Sequence, residues 1–214
     1  MLDVFNIAKP QNCDIQIFYG DGTNTATKNR ATWIKPRGVS HVYMLLIGAG
    51  GNGNGTSGGG SGTITVFYTA AQNIPDNAGI WVGNAEKSTY VTFVRPSGLD
   101  YIHAPPGVGT AGGSSVAGNY ITAMGFYQSI AGQSGVTGVI NPSGTSFITA
   151  GGSTAATGEY GYSSGGGTSR GYFQLQPIIV GYGGAGTTGT PGGIGCGGGA
   201  SGTGGPGMVL IASW

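Results

Sequence analysis

The chain has 214 residues, of which 48 are glycine and 10 proline, whereas only 8 are Lys or Arg and 7 are Asp or Glu, for a net charge of +1. Charge this sparse lies far below the usual quarter of residues and argues against a general nucleic-acid binder or an acidic tail, so solubility has to come from Ser, Thr, Asn, Gln and exposed backbone. The length suffices to bury a core without staples, and the lack of Lys-, Glu-, Ala- and Leu-rich windows leaves almost nowhere for a helix.

The opening residues, Met1 to Pro10, lack a basic start followed by a long apolar run, so no signal peptide is expected. Nor is there an apolar span of the roughly 18 residues a membrane helix requires. Residues 13 to 19 alternate apolar and polar through Ile15, Ile17 and Tyr19 and then meet Gly20-Asp21-Gly22, which predicts a strand and a turn. A second strand is expected over 31 to 35 with Trp33 and Ile34, stopped by Pro36. Val39 to Ile47 is the longest apolar run and rich in β-formers, so it reads as a central strand buried on both faces.

Further short strands are expected over 61–68, 79–82, 90–94, 101–103, 121–127 and 146–150. Tyr172 to Val180 is interrupted by Pro177, which suggests an edge or a bulge, and Met208 to Ser213 closes the set. The predicted fold is therefore all-β, a β-sandwich or jelly-roll-like core of short antiparallel strands. Residues 1–30 would form an N-terminal strand and attachment segment, and 31–214 a glycine-rich domain that makes one unit with it. Cys13 and Cys196 could bridge these two regions or sit as buried thiols; their spacing does not decide.

Between the strands lie glycine segments at 48–62, 107–118, 132–144, 151–171 and 181–207. The last has a strict period. Glycine falls at Gly183, Gly186, Gly189, Gly192, Gly195 and Gly198, misses at Ser201, and resumes at Gly204 and Gly207. Three residues per turn is the geometry of the polyproline II helix, which has no internal hydrogen bonds. Collagen shares it but needs far more proline than Pro191 and Pro206 supply. The expectation is one layer of glycine-rich polyproline II-type segments, packed closely and bonded backbone to backbone, and tied down by the apolar run at 208–213.

Gly48-Ala49-Gly50-Gly51-Asn52-Gly53 has the spacing of a dinucleotide fingerprint, but Asn54 to Gly60 cannot hold the helix whose N-terminus would meet the pyrophosphate. The histidines are His41, within the central strand, and His103; Asp100 and His103 are the one candidate acid–base pair, with no nucleophile beside them. The remaining acids, Asp76, Glu86 and Glu159 among them, are scattered, and no cluster has metal-ligand spacing. The chain reads as a non-enzyme without a cofactor or metal. Lys28, Arg30, Lys35 and Arg37 gather half the basic residues into a candidate docking patch, against which stands an ordinary solvated loop. Tyr120, Tyr127, Tyr160, Tyr162 and Tyr182, with Phe126 and Tyr172, border the glycine segments; exposed, they would contact a receptor, and buried, they would cap the bundle.

Thr32-Trp33-Ile34-Lys35-Pro36-Arg37-Gly38-Val39-Ser40, Ile47 to Gly51, Gly144 to Gly152 and Gly204-Gly205-Pro206-Gly207-Met208-Val209-Leu210-Ile211 together resemble a glycine-rich domain found in bacteriophage tail-fibre and other virion proteins. That resemblance implies a structural or receptor-facing role in a virion, since some phage adhesins of similar composition build polyglycine II bundles. The long, less glycine-rich middle, Thr63 to Ile130, departs from the family pattern and keeps a capsid, spike or decoration subunit open beside a tail-fibre tip. Implied partners are identical subunits, other virion proteins and a host-surface glycan or protein, with no specific nucleic acid. An ice-binding or other repetitive-surface binder is the alternative, with Thr187, Thr188, Thr190 and Thr203 as its candidate rows.

Overall fold

In a computed structural model of the chain, the described residues are 13–20, 30–96, 98–135, 189 and 191–214, together with the backbone of two strands at 168–175 and 178–182. Eleven strands are defined among them: β1 (Asp14–Tyr19), β2 (Arg30–Ile34), β3 (His41–Ile47), β4 (Ile64–Ala70), β5 (Asn77–Trp81), β6 (Thr89–Arg95), β7 (Gly98–Ala104), β8 (Gly125–Ile130), β9 (Thr168–Leu175), β10 (Ile178–Tyr182) and β11 (Met208–Ser213). They form an antiparallel five-stranded sheet in the order β1-β11-β3-β4-β8, an antiparallel four-stranded sheet β2-β5-β6-β7, and the β9–β10 hairpin.

The two larger sheets face each other across one core. Val42, Met44 and Leu46 of β3, Phe67 of β4 and Val209 and Ile211 of β11 meet Trp33, Ala78, Ile80, Val91, Phe93 and Ile102 from the other sheet. Period-2 alternation puts the remaining β3 residues on the opposite side. There Tyr43, Leu45 and Ile47 join Ile64, Met208, Leu210 and Cys196 in a second buried cluster. The middle strand of the five is thus buried on both faces, as its unbroken apolar run predicts. Burial pushes the Tyr43 phenol up to about 12. Cys196 is buried, with its Sγ 3.5 Å from the Ile194 carbonyl, and Cys13 is half-buried.

Two predicted strands change shape. Residues 121–127 begin as a 3-10 turn at Thr122–Met124 and become a strand only from Gly125. Local polar bonds win over apolar content here: Thr122 Oγ1 accepts from the Asn119 amide at 2.6 Å, and Asn119 Oδ1 accepts from the Thr122 amide at 3.3 Å, a reciprocal clamp that curls the backbone. The predicted strand over 172–180 is two strands, β9 and β10, which pair antiparallel on either side of Gln176-Pro177. A proline lacks the amide a ladder needs, so it falls between strands. The strand expected at 146–150 lies outside the described residues.

Between sandwich strands the glycine segments bond to one another, and the bonds recur every third residue. Gly48, Gly51 and Asn54 donate to the carbonyls of Thr63, Gly60 and Ser57 at 2.8, 2.7 and 2.9 Å. Gly189, Gly192 and Gly195 donate to Ala200, Thr203 and Pro206, each at 2.8 Å. A β-ladder between two strands repeats every two residues; a step of three is that of a three-residue screw. Segment 48–54 accordingly presents different residues to different neighbours. Gly50 and Gly53 donate to Gly205 and Gly202, the Ala49 carbonyl accepts from Gly107, and the Gly51 carbonyl from Gly198.

Packing explains the residue type. A Cβ on Gly50 would strike the Cys196 carbonyl, on Gly59 the Gly51 carbonyl, and on Gly205 the Gly193 carbonyl. The interruption of the repeat at Ser201 is a turn: the Gly202 amide bonds the Gly199 carbonyl at 2.7 Å, and Ser201 takes φ 59°.

Candidate functional site

The candidate glycines within the described residues all donate from their backbone amides. Beyond the bonds of Gly189, Gly192 and Gly195, Gly198 bonds the Gly51 carbonyl at 3.1 Å, Gly204 the Asn52 side-chain oxygen at 3.0 Å, and Gly207 the Gly83 carbonyl at 2.7 Å. Gly183 and Gly186 lie outside the described residues. Glu86 fastens the bundle to the sandwich. It follows β5 on the hairpin that leads to β6, with φ 62°, and its Oε1 accepts from the amides of Gly109 at 2.8 Å and Asn52 at 3.3 Å. Its own amide donates to the Gly50 carbonyl at 2.9 Å.

Among the described residues, Asp100 and Asp76 also have structural partners. Asp100 pairs with Arg95 Nε at 3.2 Å, and strand alternation turns it to the other face of β7 from His103. Asp76 pairs with Lys35 at 2.8 Å, and the ammonium holds its carboxyl below the usual range by hydrogen bond and charge. Glu159 lies outside the described residues, and among those residues no group of His, Cys, Asp or Glu is arranged to hold a metal ion.

The basic candidates among the described residues take different positions around β2. Lys35 Nζ is turned inward onto the Ala71 and Ile74 carbonyls, both at 2.9 Å. Arg30 and Lys35 flank the two ends of β2, Arg37 is exposed in the turn beyond, and Lys28 lies outside the described residues. Tyr120 is exposed, with the Arg95 guanidinium 4.7 Å over its ring. Tyr127 is half-buried against the core, donates its hydroxyl to the Val116 carbonyl at 3.1 Å, and has its phenol pushed up mainly by burial. Tyr160 and Tyr162 lie outside the described residues, as does the side chain of Tyr182 in β10. Thr203 is exposed, whereas Thr187, Thr188 and Thr190 are not described, so no threonine row is defined.

Sequence reading missed a different surface, the outward face of the four-stranded sheet. Strand register aligns Arg30 with Trp81, Trp81 with Tyr90, and Tyr90 with His103. The Arg30 guanidinium lies 3.8 Å over the Trp81 ring. Tyr90 and His103 stack at 4.4 Å and 3°, with Tyr101 packed edge-on against both. Burial lowers the His103 pKa. Trp81 keeps 38% of its surface exposed and Tyr101 43%, and Ile34, Val94 and Leu99 continue the exposed apolar area. The available signal was the alternation Tyr90-Thr92-Val94 and Leu99-Tyr101-His103, in which every non-core position but Thr92 is aromatic or aliphatic where an open sheet face is normally polar.

No family model and no curated protein matches the chain. Among the described residues, no helix is long and apolar enough to cross a membrane.

Proposed function

We propose that the chain is a structural protein of a bacteriophage particle, exposed on the virion as a spike, tail-fibre tip or capsid-associated subunit, and that it displays a binding face instead of catalysing a reaction. The observation that carries this reading is the three-residue hydrogen-bond step through the glycine segments, which makes a polyglycine II-type scaffold from main chain alone. Three of the four virion-like motifs lie at the scaffold's ends: Trp33 to Val39 leads into β3, Gly48 to Gly51 begins the bundle, and Gly204 to Gly207 ends it at β11, while Gly144 to Gly152 lies outside the described residues. Every described carboxylate detailed above is occupied in holding structure, which suits a scaffold better than an acid–base site. Repetition over an assembly would turn weak single contacts with a host-surface receptor into firm attachment by avidity.

Antibody fragments raised against the purified chain test the reading by electron microscopy of purified particles. Label at regular positions on the particle surface is the expected result. Particles that carry no label and no copy of the chain by mass spectrometry would overturn it.

A further inference from the structure

The four-stranded sheet turns twelve residues outward, and its chemistry is uneven. One line across all four strands is Arg30, Trp81, Tyr90 and His103; the next is Thr32, Gly79, Thr92 and Tyr101; Ile34, Asn77, Val94 and Leu99 complete the face. With strands about 4.8 Å apart, the first line spans roughly 14 Å, the reach of about three sugar rings. None of the twelve is acidic. Arg30 is exposed, has no carboxylate within ion-pair distance among the described residues, and has its guanidinium carbon 3.8 Å over the Trp81 ring. A guanidinium held over an aromatic ring can still offer the paired N–H donors of its edge to a planar anion.

We infer that this face binds a carboxylate-bearing oligosaccharide, with the sugar carboxylate on Arg30 and neighbouring rings against the exposed surfaces of Trp81 and Tyr101. It deepens the virion reading by naming the receptor surface and the receptor's chemistry. Charge complementarity selects the occupant. A second copy paired through the same face would bring an identical Arg30 and no acid, leaving the cation unmatched. A nucleic acid would call for several cations along its backbone, whereas the face has one. A neutral glycan would leave the guanidinium without a partner. Thr32, Thr92 and Asn77 provide the short polar groups that sugar hydroxyls require.

Two acidic sugars distinguish the sources of that carboxylate: 3′-sialyllactose carries a sialic acid, and a hyaluronan tetrasaccharide carries glucuronic acid. Each is titrated into the full chain and followed by saturation-transfer NMR, with lactose as the neutral control. The expected result is binding of at least one acidic sugar, with lactose at least tenfold weaker. Arg30→Gln and Trp81→Ala should each lose at least tenfold, Arg30→Lys should fall between, and Arg37→Gln, in the turn beyond β2, should bind as the parent does. Circular dichroism of each variant checks that it folds. Three results would each overturn the assignment: neither acidic sugar binding, lactose binding as well as they do, or Arg30→Gln binding as tightly as the parent. A dimer in solution that Val94→Asp splits would give the face to a second copy and overturn it equally. None of these touches the location of the chain on a particle, which the antibody labelling tests separately.

Discussion

Gly51 donates its amide to the Gly60 carbonyl at 2.7 Å, three residues along from the bond between Gly48 and Thr63. Between those two contacts the chain turns once, and its other faces bond other segments. Side chains are excluded at this spacing. Gly50→Ala and Gly205→Ala would each drive a methyl into a carbonyl of the adjacent segment. Each should cost about 1–3 kcal/mol or more by the usual scale of overpacking. Gly55 has nothing within 4 Å of its Cβ position, so Gly55→Ala should be neutral or stabilise by up to about 1 kcal/mol through the unfolded chain. Urea unfolding of the three variants checks the contrast.

Glu86→Ala removes the acceptor of two backbone amides, those of Gly109 and Asn52. Hydrogen bonds to a charged group are worth about 1.5–3 kcal/mol, so a loss of that order is expected. Glu86→Gln keeps an amide oxygen and should lose less. The same unfolding series measures both, and equal stability of Glu86→Ala and the parent would contradict the clamp.

Lys35 gives its ammonium to two carbonyls of the 3-10 turn after β4 as well as to Asp76. Lys35→Met should therefore destabilise by about 1–3 kcal/mol, chiefly from carbonyls left short of a donor. Asp76→Asn should do much less, because that carboxylate is in solvent. Thermal melts of the two variants rank the effects.

His103 supplies a pH dependence. Burial lowers its folded-state pKa below the ordinary 6.5, so below that pH the unfolded chain binds the extra proton more readily than the folded one. Stability should thus fall as pH drops through 6.5 toward the lower folded value, and level off below it. His103→Gln should flatten this part of the curve in melts across pH 4.5–7.5, a span set around the ordinary histidine value. An unchanged slope would assign the pH dependence to another group.

How much of this was legible in the sequence depends on how local each cause is. β11 is found over Met208–Ser213 and β3 within the predicted 39–47, because an apolar run flanked by glycine carries its own boundaries. The three-residue repeat foretold the bonding step because period and screw are one property. The turn at 122–124 was hidden because Asn119 and Thr122 act through paired polar bonds that apolar content outweighs on reading. The aromatic face was hidden for a different reason. Trp81, Tyr90 and His103 sit on three strands, and only the register between strands makes them one line.

The ordered glycine scaffold is the claim on which the rest depends, and amide hydrogen exchange by NMR tests it residue by residue. The amides of Gly51, Gly60, Gly192 and Gly195, each bonded at 2.7–2.9 Å to another part of the bundle, should exchange roughly a hundredfold or more slower than a free chain. The exposed Gly55 should exchange fastest among them. Exchange of all five at the rate of an unstructured peptide would contradict the account.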